Sequence, residues 1–243
     1  MSYTTILMPT HNHLEMLRQT LMVLAINTAP APIDVAIFDD GSCDGTPEYF
    51  EMCRYKEVLA YHPGMSINYF RSAGEERYFN GSFGQAYQRS MPFVGTSDFV
   101  VCMDDDVVFV PKGWLEQCQA NFDPHPEMGV QVVLDYPYIQ MFKERYPGIW
   151  DTGWFSLTGG GRGDHGHGFL MVMRRQHLDA IGGPPAEPGH YPQDARIQEL
   201  MSSKLGKESL VFLSPVVYHL GERKISLYGY AGPAGTVRDG CDF

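Results

Sequence analysis

Short apolar runs alternate with amphipathic stretches along the chain, and several of the apolar runs end in acid. Residues 5–9 (Thr-Ile-Leu-Met-Pro) predict a buried first strand, after which Leu14, Leu17, Leu21 and Leu24 recur at helical spacing. Asn12, with Glu15 three residues on, fits a capping arrangement for that helix. Residues 34–38 (Asp-Val-Ala-Ile-Phe) predict a second strand that runs directly into Asp39-Asp40-Gly41-Ser42. Thr46 and Pro47 suit the N-cap and first turn of a second helix reaching Phe50. Strand, helix, strand and helix at this pace imply βαβ units and a parallel sheet, in which ligands bind outside the carboxyl ends of the strands. Both acidic clusters of the first half lie at such ends.

Residues 66–71 predict a weaker strand. Asn80-Gly81-Ser82-Phe83-Gly84 then forms a glycine-bearing turn into a helix, where backbone N–H groups could face a phosphate. Residues 99–103 (Phe-Val-Val-Cys-Met) read as a central strand covered on both faces. Pro111 opens a helix carrying Trp114, Leu115, Cys118 and Phe122, and residues 128–134 form a further strand. Residues 168–173 return to strand and 174–183 to a helix with a glycine stop. Ile197, Leu200 and Met201 mark one face of a helix whose first turn holds Asp194, where the helix dipole favours the ionised carboxylate. Residues 210–219 are a last apolar segment ending in His219, and from Gly221 onward glycines and charges suggest a loosely packed tail.

Residues 135–167 have a different character. Tyr136, Tyr138, Phe142, Tyr146, Trp150, Trp154 and Phe155 are spread through a segment that ends in Gly-Gly-Gly-Arg-Gly-Asp-His-Gly-His. A long irregular piece inside a compact domain is usually a lid or binding loop. Aromatic faces among polar groups suit sugar rings, and the glycines permit closure. A merely flexible insertion is the plainer reading. His165 and His167 have ligand spacing, yet histidines in a glycine-rich loop commonly face solvent.

At 243 residues and 44% apolar content the chain can bury a full core. It contains no apolar run of the roughly 20 residues a membrane span requires, and its first residues lack the basic and apolar regions of a signal peptide. A cytoplasmic protein is therefore expected. Its five cysteines, Cys43, Cys53, Cys102, Cys118 and Cys241, are odd in number and include no C-x-x-C pair, so they read as reduced thiols. A net charge of −11 argues against broad electrostatic adhesion to DNA or anionic lipid.

The candidate chemistry centres on Asp104-Asp105-Asp106. Side chains of an extended chain alternate, which places Asp104 and Asp106 on one side and Asp105 on the other. Two carboxylates about 4 Å apart repel by roughly 4 kcal/mol at an effective dielectric near 20. An all-oxygen pair suits a hard cation such as Mg²⁺ or Mn²⁺ that bridges to substrate phosphates, while a solvated acidic turn is the alternative. Asp40, Ser42, Asp44, Gly45 and Glu51 also match the spacing of a calcium loop. That reading fails because a strand rather than a helix precedes them and Pro47 disrupts the loop.

Taken together, these residues resemble the family 2 glycosyltransferases of GT-A fold over about residues 5–225. Pro9-Thr10-His11-Asn12 is similar to that family's opening motif, and Asp39-Asp40-Gly41-Ser42 to its D-D-G-S element, which implies contacts to nucleobase and ribose. Asn80, Phe83 and Ala86 keep the spacing of its glycine-bearing helix, with Ser82, Gln88 and Ser90 as departures. Asp104 and Asp106 resemble the D-x-D motif, and Tyr218-His219-Leu220-Gly221 its late histidine, which makes His219 an implied third metal ligand. The block from Phe169 through Arg174, Arg175 and Ile181-Gly182-Gly183 to Asp194 resembles the acceptor half. There Gln193-Asp194 replaces the usual Glu-Asp pair, and Arg196 stands where many members have Asp.

The resemblance implies an α/β fold: a Rossmann-like, mostly parallel sheet flanked by helices in one domain over residues 1–225. A nucleotide-sugar half (1–110) and an acceptor half (111–225, with the 136–167 loop) precede a tail (226–243). It implies an inverting, metal-dependent transferase using a nucleotide-diphosphate sugar, most often a UDP-sugar. Mn²⁺ or Mg²⁺ would sit on Asp104, Asp106 and His219, and the donor-side set is Pro9, Thr10, Asn12, Asp39, Asp40, Asn80 and Asp105. Asp194 is the implied base for an acceptor hydroxyl on a glycan, a lipid-linked sugar or a modified nucleobase. The competing reading is a catalytically silent sugar- or nucleotide-binding module, supported by the changes at Gln193 and Arg196.

Overall fold

The computed structural model describes residues 2–28, 31–72, 88–89, 91–136, 139, 144, 149–157, 169–185 and 193–220. Its first half runs β1 (Thr4–Thr10), α1 (Leu14–Asn27), β2 (Ile33–Asp39), α2 (Thr46–Glu51), α3 (Lys56–Leu59), β3 (Met65–Arg71) and β4 (Phe99–Met103). There follow β5 (Val107–Phe109), α4 (Trp114–Ala120), β6 (Met128–Asp135), α5 (Ile149–Thr152) and β7 (Trp154–Ser156). The last elements are β8 (Leu170–Arg174), α6 (Arg175–Ile181), α7 (Gln193–Leu205) and β9 (Glu208–His219).

Among the described residues these strands make one nine-stranded sheet in the order β3-β2-β1-β4-β8-β6-β9-β5, with β7 also on β9. The βαβ reading holds in the N-terminal half, where β3, β2, β1 and β4 are mutually parallel. Beyond β4 the sheet is mixed, because β8 inserts antiparallel between β4 and β6 while β6 and β9 run parallel.

Both faces of the sheet are covered, which explains why its central strands are apolar without alternation. Ile6 and Met8 of β1, with Val101 and Met103 of β4, face one core alongside Leu17, Leu21 and Leu24 of α1 and Trp114 of α4. The intervening Leu7, Val100 and Cys102 face the other core, closed by Leu178, Ile181, Ile197 and Met201 of α6 and α7. Burying a side chain of this size contributes roughly 1.5–3 kcal/mol, so two filled faces hold the strand ends in fixed register.

Several local expectations are corrected. Asn12 does not cap α1: it adopts a left-handed φ of 53° and its Oδ1 accepts the Cys43 N–H at 2.7 Å. The first N–H of that helix, on Leu14, is instead taken by Asp44 Oδ2 at 2.8 Å, and Glu15 pairs with Arg18 at 3.0 Å. Thr46 is the first residue of α2 rather than its cap. Gly45, at φ 90°, takes the cap position, and the Thr46 hydroxyl donates to Asp44 Oδ1 at 2.6 Å. With both its oxygens engaged by protein donors, Asp44 serves the fold.

The helix expected from Pro111 starts at Trp114, since Gly113 at φ 73° interrupts the helical path. The aromatic segment is not wholly irregular, for β7 pairs antiparallel with β9. Cys43 is disulfide-bonded, so the expectation of reduced thiols fails there. Cys43 is solvent-exposed, whereas the free Cys102 and Cys118 are sealed in the core. Among the described residues no helix is long and apolar enough to cross a membrane.

Candidate active site

The strand ends β1, β2, β4 and β6 carry their polar residues to one rim of the sheet. β4 stops at Met103, and the turn that follows is held on both sides. On one side, Asp104 donates its backbone N–H to the Phe169 carbonyl at 2.8 Å. On the other, Asp105 is buried and accepts the Thr10 hydroxyl at 2.6 Å and the His13 ring at 3.2 Å, while its carbonyl accepts the Thr20 hydroxyl at 2.8 Å. The alternation expected from the sequence is therefore realised, with Asp105 directed toward the start of α1 and away from its two neighbours.

Asp104 and Asp106 meet His219. Its Nε2 lies 2.9 Å from Asp106 Oδ1 and 3.6 Å from Asp104 Oδ2. β5 delivers the histidine, because Val107 pairs with His219 and the Leu220 N–H donates to the Asp106 carbonyl at 3.1 Å. The imidazole also stacks on Phe169, ring centroids 4.5 Å apart and 8° from parallel. A third contact fixes the main chain, where Asp135 Oδ1 accepts the His219 N–H at 3.1 Å.

Burial pushes the Asp104 carboxyl up, and the neighbouring charges of Asp106 and Asp105 push the same way, opposed by His219. Burial would lower the His219 imidazole, but the two carboxylates outweigh it and raise its pKa to about 9. The cluster thus holds a proton where a cation would otherwise compensate the charge. Its three ligand atoms lie within 4.8 Å of one another. A hard cation at about 2.1 Å from each oxygen or nitrogen sets neighbouring ligands about 3 Å apart, and the two imidazole contacts bracket that spacing. Donor chemistry and geometry both fit a divalent ion.

The donor-side residues have divided roles. Pro9 and Thr10 are buried at the end of β1, and the Asp40 N–H donates to the Thr10 carbonyl at 3.0 Å. Asn12 bridges two loops, since the Ser42 hydroxyl accepts its N–H at 2.9 Å. Asp39 is fully buried and accepts the Ser42 N–H at 2.7 Å together with the Tyr69 hydroxyl. Asp40, half-buried, is the more accessible member of the pair. Arg71 donates to the Ser42 carbonyl at 2.8 Å and brings a cation to this loop that sequence reasoning passed over. Asp194 lies in the first turn of α7, and Arg196 on the same helix pairs with Glu199 at 2.8 Å.

Asn80, the glycine turn around it, His165, His167 and the tail fall outside the described residues. Tyr136 stands 65% exposed beside Asp135 at the rim. Trp154 packs against His125 and Phe212 instead. Phe169 and Asp135 were not read as site residues. Asp135 carried a usable signal, an acid closing an apolar strand as Asp39 and Asp104 do.

A mixed sheet with two carboxylates and an imidazole gathered beyond the end of a central strand defines the GT-A class of glycosyltransferase domains. The model described as Glycosyl transferase family 2 matches residues 5–182, well over half of the chain, and the chain belongs to that family. No curated protein matches it. Among solved structures it is similar to the mannosyltransferase PcManGT from Pyrobaculum calidifontis in complex with GDP-Man and Mn²⁺. The TM-score is 0.69 at 18% identity, over 93% of this chain and 59% of that one. It is also similar to S. aureus TarS 1–349, at TM-score 0.61 and 19% identity over 90% of this chain and 60% of that one. GalNAc-T7 with UDP, GalNAc and Mn²⁺ gives TM-score 0.61 at 14% identity, over 90% of this chain and 44% of that one. The chain thus spans about three-fifths or less of each of these structures.

Proposed function

We propose that the protein transfers a sugar from a nucleotide-diphosphate donor, a UDP-sugar, to an acceptor hydroxyl with inversion at the anomeric carbon. The observation that carries this reading is the Asp104, Asp106 and His219 cluster, whose ligand atoms lie within 4.8 Å beyond the end of a central strand, in a chain of family 2. Support for a metal and a nucleotide-sugar comes from the similar structures, two of which hold Mn²⁺.

Asp104, Asp106 and His219 would hold Mn²⁺ or Mg²⁺. When bound, the ion supplies positive charge to the departing diphosphate. Asp40, the Ser42 loop and Arg71 receive the base and ribose, on the side of the sheet that Asp39 and Tyr69 keep rigid. Asp105 and Thr10 hold the turn that presents the two metal carboxylates. Asp194 takes the proton from the acceptor hydroxyl as that oxygen attacks the face opposite the leaving group. One displacement with one base inverts the centre. Residues 1–110 then form the donor half and 111–225 the acceptor half.

Replacing Asp194 by Asn separates binding from chemistry. D194N should bind UDP-sugar with Mn²⁺ as the parent does, read by the rise in melting temperature, while transfer falls by about 10²-fold or more. Transfer at the parental rate would remove Asp194 from the mechanism. A panel of UDP-, GDP-, CDP- and TDP-sugars, each with Mn²⁺ or with chelator, identifies the donor by the same shift. Equal shifts in chelator would remove the metal.

A further inference from the structure

We propose that Asp135 is a positioning residue of the metal site: its buried carboxylate holds the main chain of His219 so that Nε2 faces Asp104 and Asp106. This rests on reading that cluster as a cation site. β6 and β9 run parallel, and their register ends with Asp135 opposite Val217. His219 lies two residues further on, beyond the last residue of β6. The Asp135 side chain reaches forward to accept its N–H at 3.1 Å. The carboxylate thus prolongs the ladder beyond the end of the strand.

The contact acts together with others that hold His219 in place. Asp135 holds the main chain from the β6 side, β5 holds it from the other through the pairing of Val107 with His219, and Phe169 stacks on the ring. Stacking alone permits sliding within the ring plane, whereas the Asp135 bond to the His219 N–H and the Leu220 N–H bond to the Asp106 carbonyl together fix where along β9 the imidazole is presented. Asp135 is 1% exposed, and burying a charge is costly. An uncharged acceptor would satisfy the same N–H. A carboxylate adds a further negative charge beside the cluster, which works against the metal-free state and in favour of a cation.

The test is Mn²⁺ titration of the full chain followed by electron paramagnetic resonance, comparing the parent with Asp135→Ala, Asp135→Asn and the ligand variant Asp106→Asn. The parent should bind one Mn²⁺ with nitrogen coupling from His219. D135A should bind about 10- to 100-fold more weakly and lose most of that coupling, while still unfolding cooperatively. D135N, which keeps an oxygen acceptor, should regain the coupling with affinity between the two. If D135A is too unstable to purify, Asp135→Ser, whose hydroxyl is too short to reach the His219 N–H, replaces it under the same criteria. Parental affinity and coupling in the acceptor-lacking variant, with D106N weakened, would overturn the role of Asp135 alone. A parent that binds no Mn²⁺, or no better than D106N, would overturn the cation site and the role of Asp135 with it.

Discussion

His219 Nε2 lies 2.9 Å from Asp106 Oδ1, in a cluster where 15% of the imidazole and 1% of the Asp106 carboxylate meet solvent. The two carboxylates raise the imidazole pKa to about 9, above an unfolded value near 6.5. In chelator, the stability this contributes is fully present below about pH 6.5 and is lost as pH rises through about 9. The melting temperature should fall over that window by more in the parent than in His219→Gln. An equal fall in both would detach the effect from His219. Mn²⁺ must displace the same proton, so its affinity should rise with pH and level off above about 9.

Thr10 reaches the metal carboxylates through Asp105. Its hydroxyl donates to Asp105 Oδ2 at 2.6 Å inside the core. Thr10→Val keeps the shape and removes the donor, at a cost of about 1–3 kcal/mol for a buried acceptor left short of a partner. Urea unfolding gives that figure. Mn²⁺ affinity should fall as well, because the same turn presents Asp104 and Asp106, and Thr10→Ser should restore both. Unchanged stability in the valine variant would mean that the His13 contact alone suffices.

Gly129 offers a test of packing away from the chemistry. A Cβ there would meet the Lys207 Cβ at 2.7 Å and the Met201 Cβ at 3.2 Å. Both are close to backbone and cannot swing aside, so Gly129→Ala should cost about 1–3 kcal/mol, or several degrees of melting temperature at about 2–4 °C per kcal/mol. Donor binding below the melt should be untouched, since Gly129 lies six residues from Asp135 along β6, roughly 20 Å. A loss of donor affinity at low temperature would show that the two ends of β6 are coupled.

Much of this architecture was legible in the chain. The runs ending at Pro9, Phe38 and Met103 mark β1, β2 and β4 to within a residue or so, because a strand buried on both faces must be apolar throughout. Alternation alone put Asp104 with Asp106 and apart from Asp105. β5 was not legible. Val107 to Phe109 is too short to show a period, and only its distant pairing with β9 makes it a strand. The antiparallel entry of β8 was hidden too, since an apolar run reads alike in either direction. The N–H of Leu14 went to Asp44 rather than to the neighbouring Asn12, because the fold brought a better-placed acceptor that no local pattern announces. The acid that closes the apolar run of β6 marks Asp135 as a rim residue, but its partner, the His219 N–H, is local to it only after the sheet has formed.

The most direct measurement is an anomalous difference map from crystals grown with Mn²⁺ and UDP. A single manganese peak should lie about 2.1 Å from oxygens of Asp104 and Asp106 and from Nε2 of His219, with the diphosphate completing its coordination. UDP in place with no manganese on those three residues, or manganese held elsewhere, would contradict the assignment of the site.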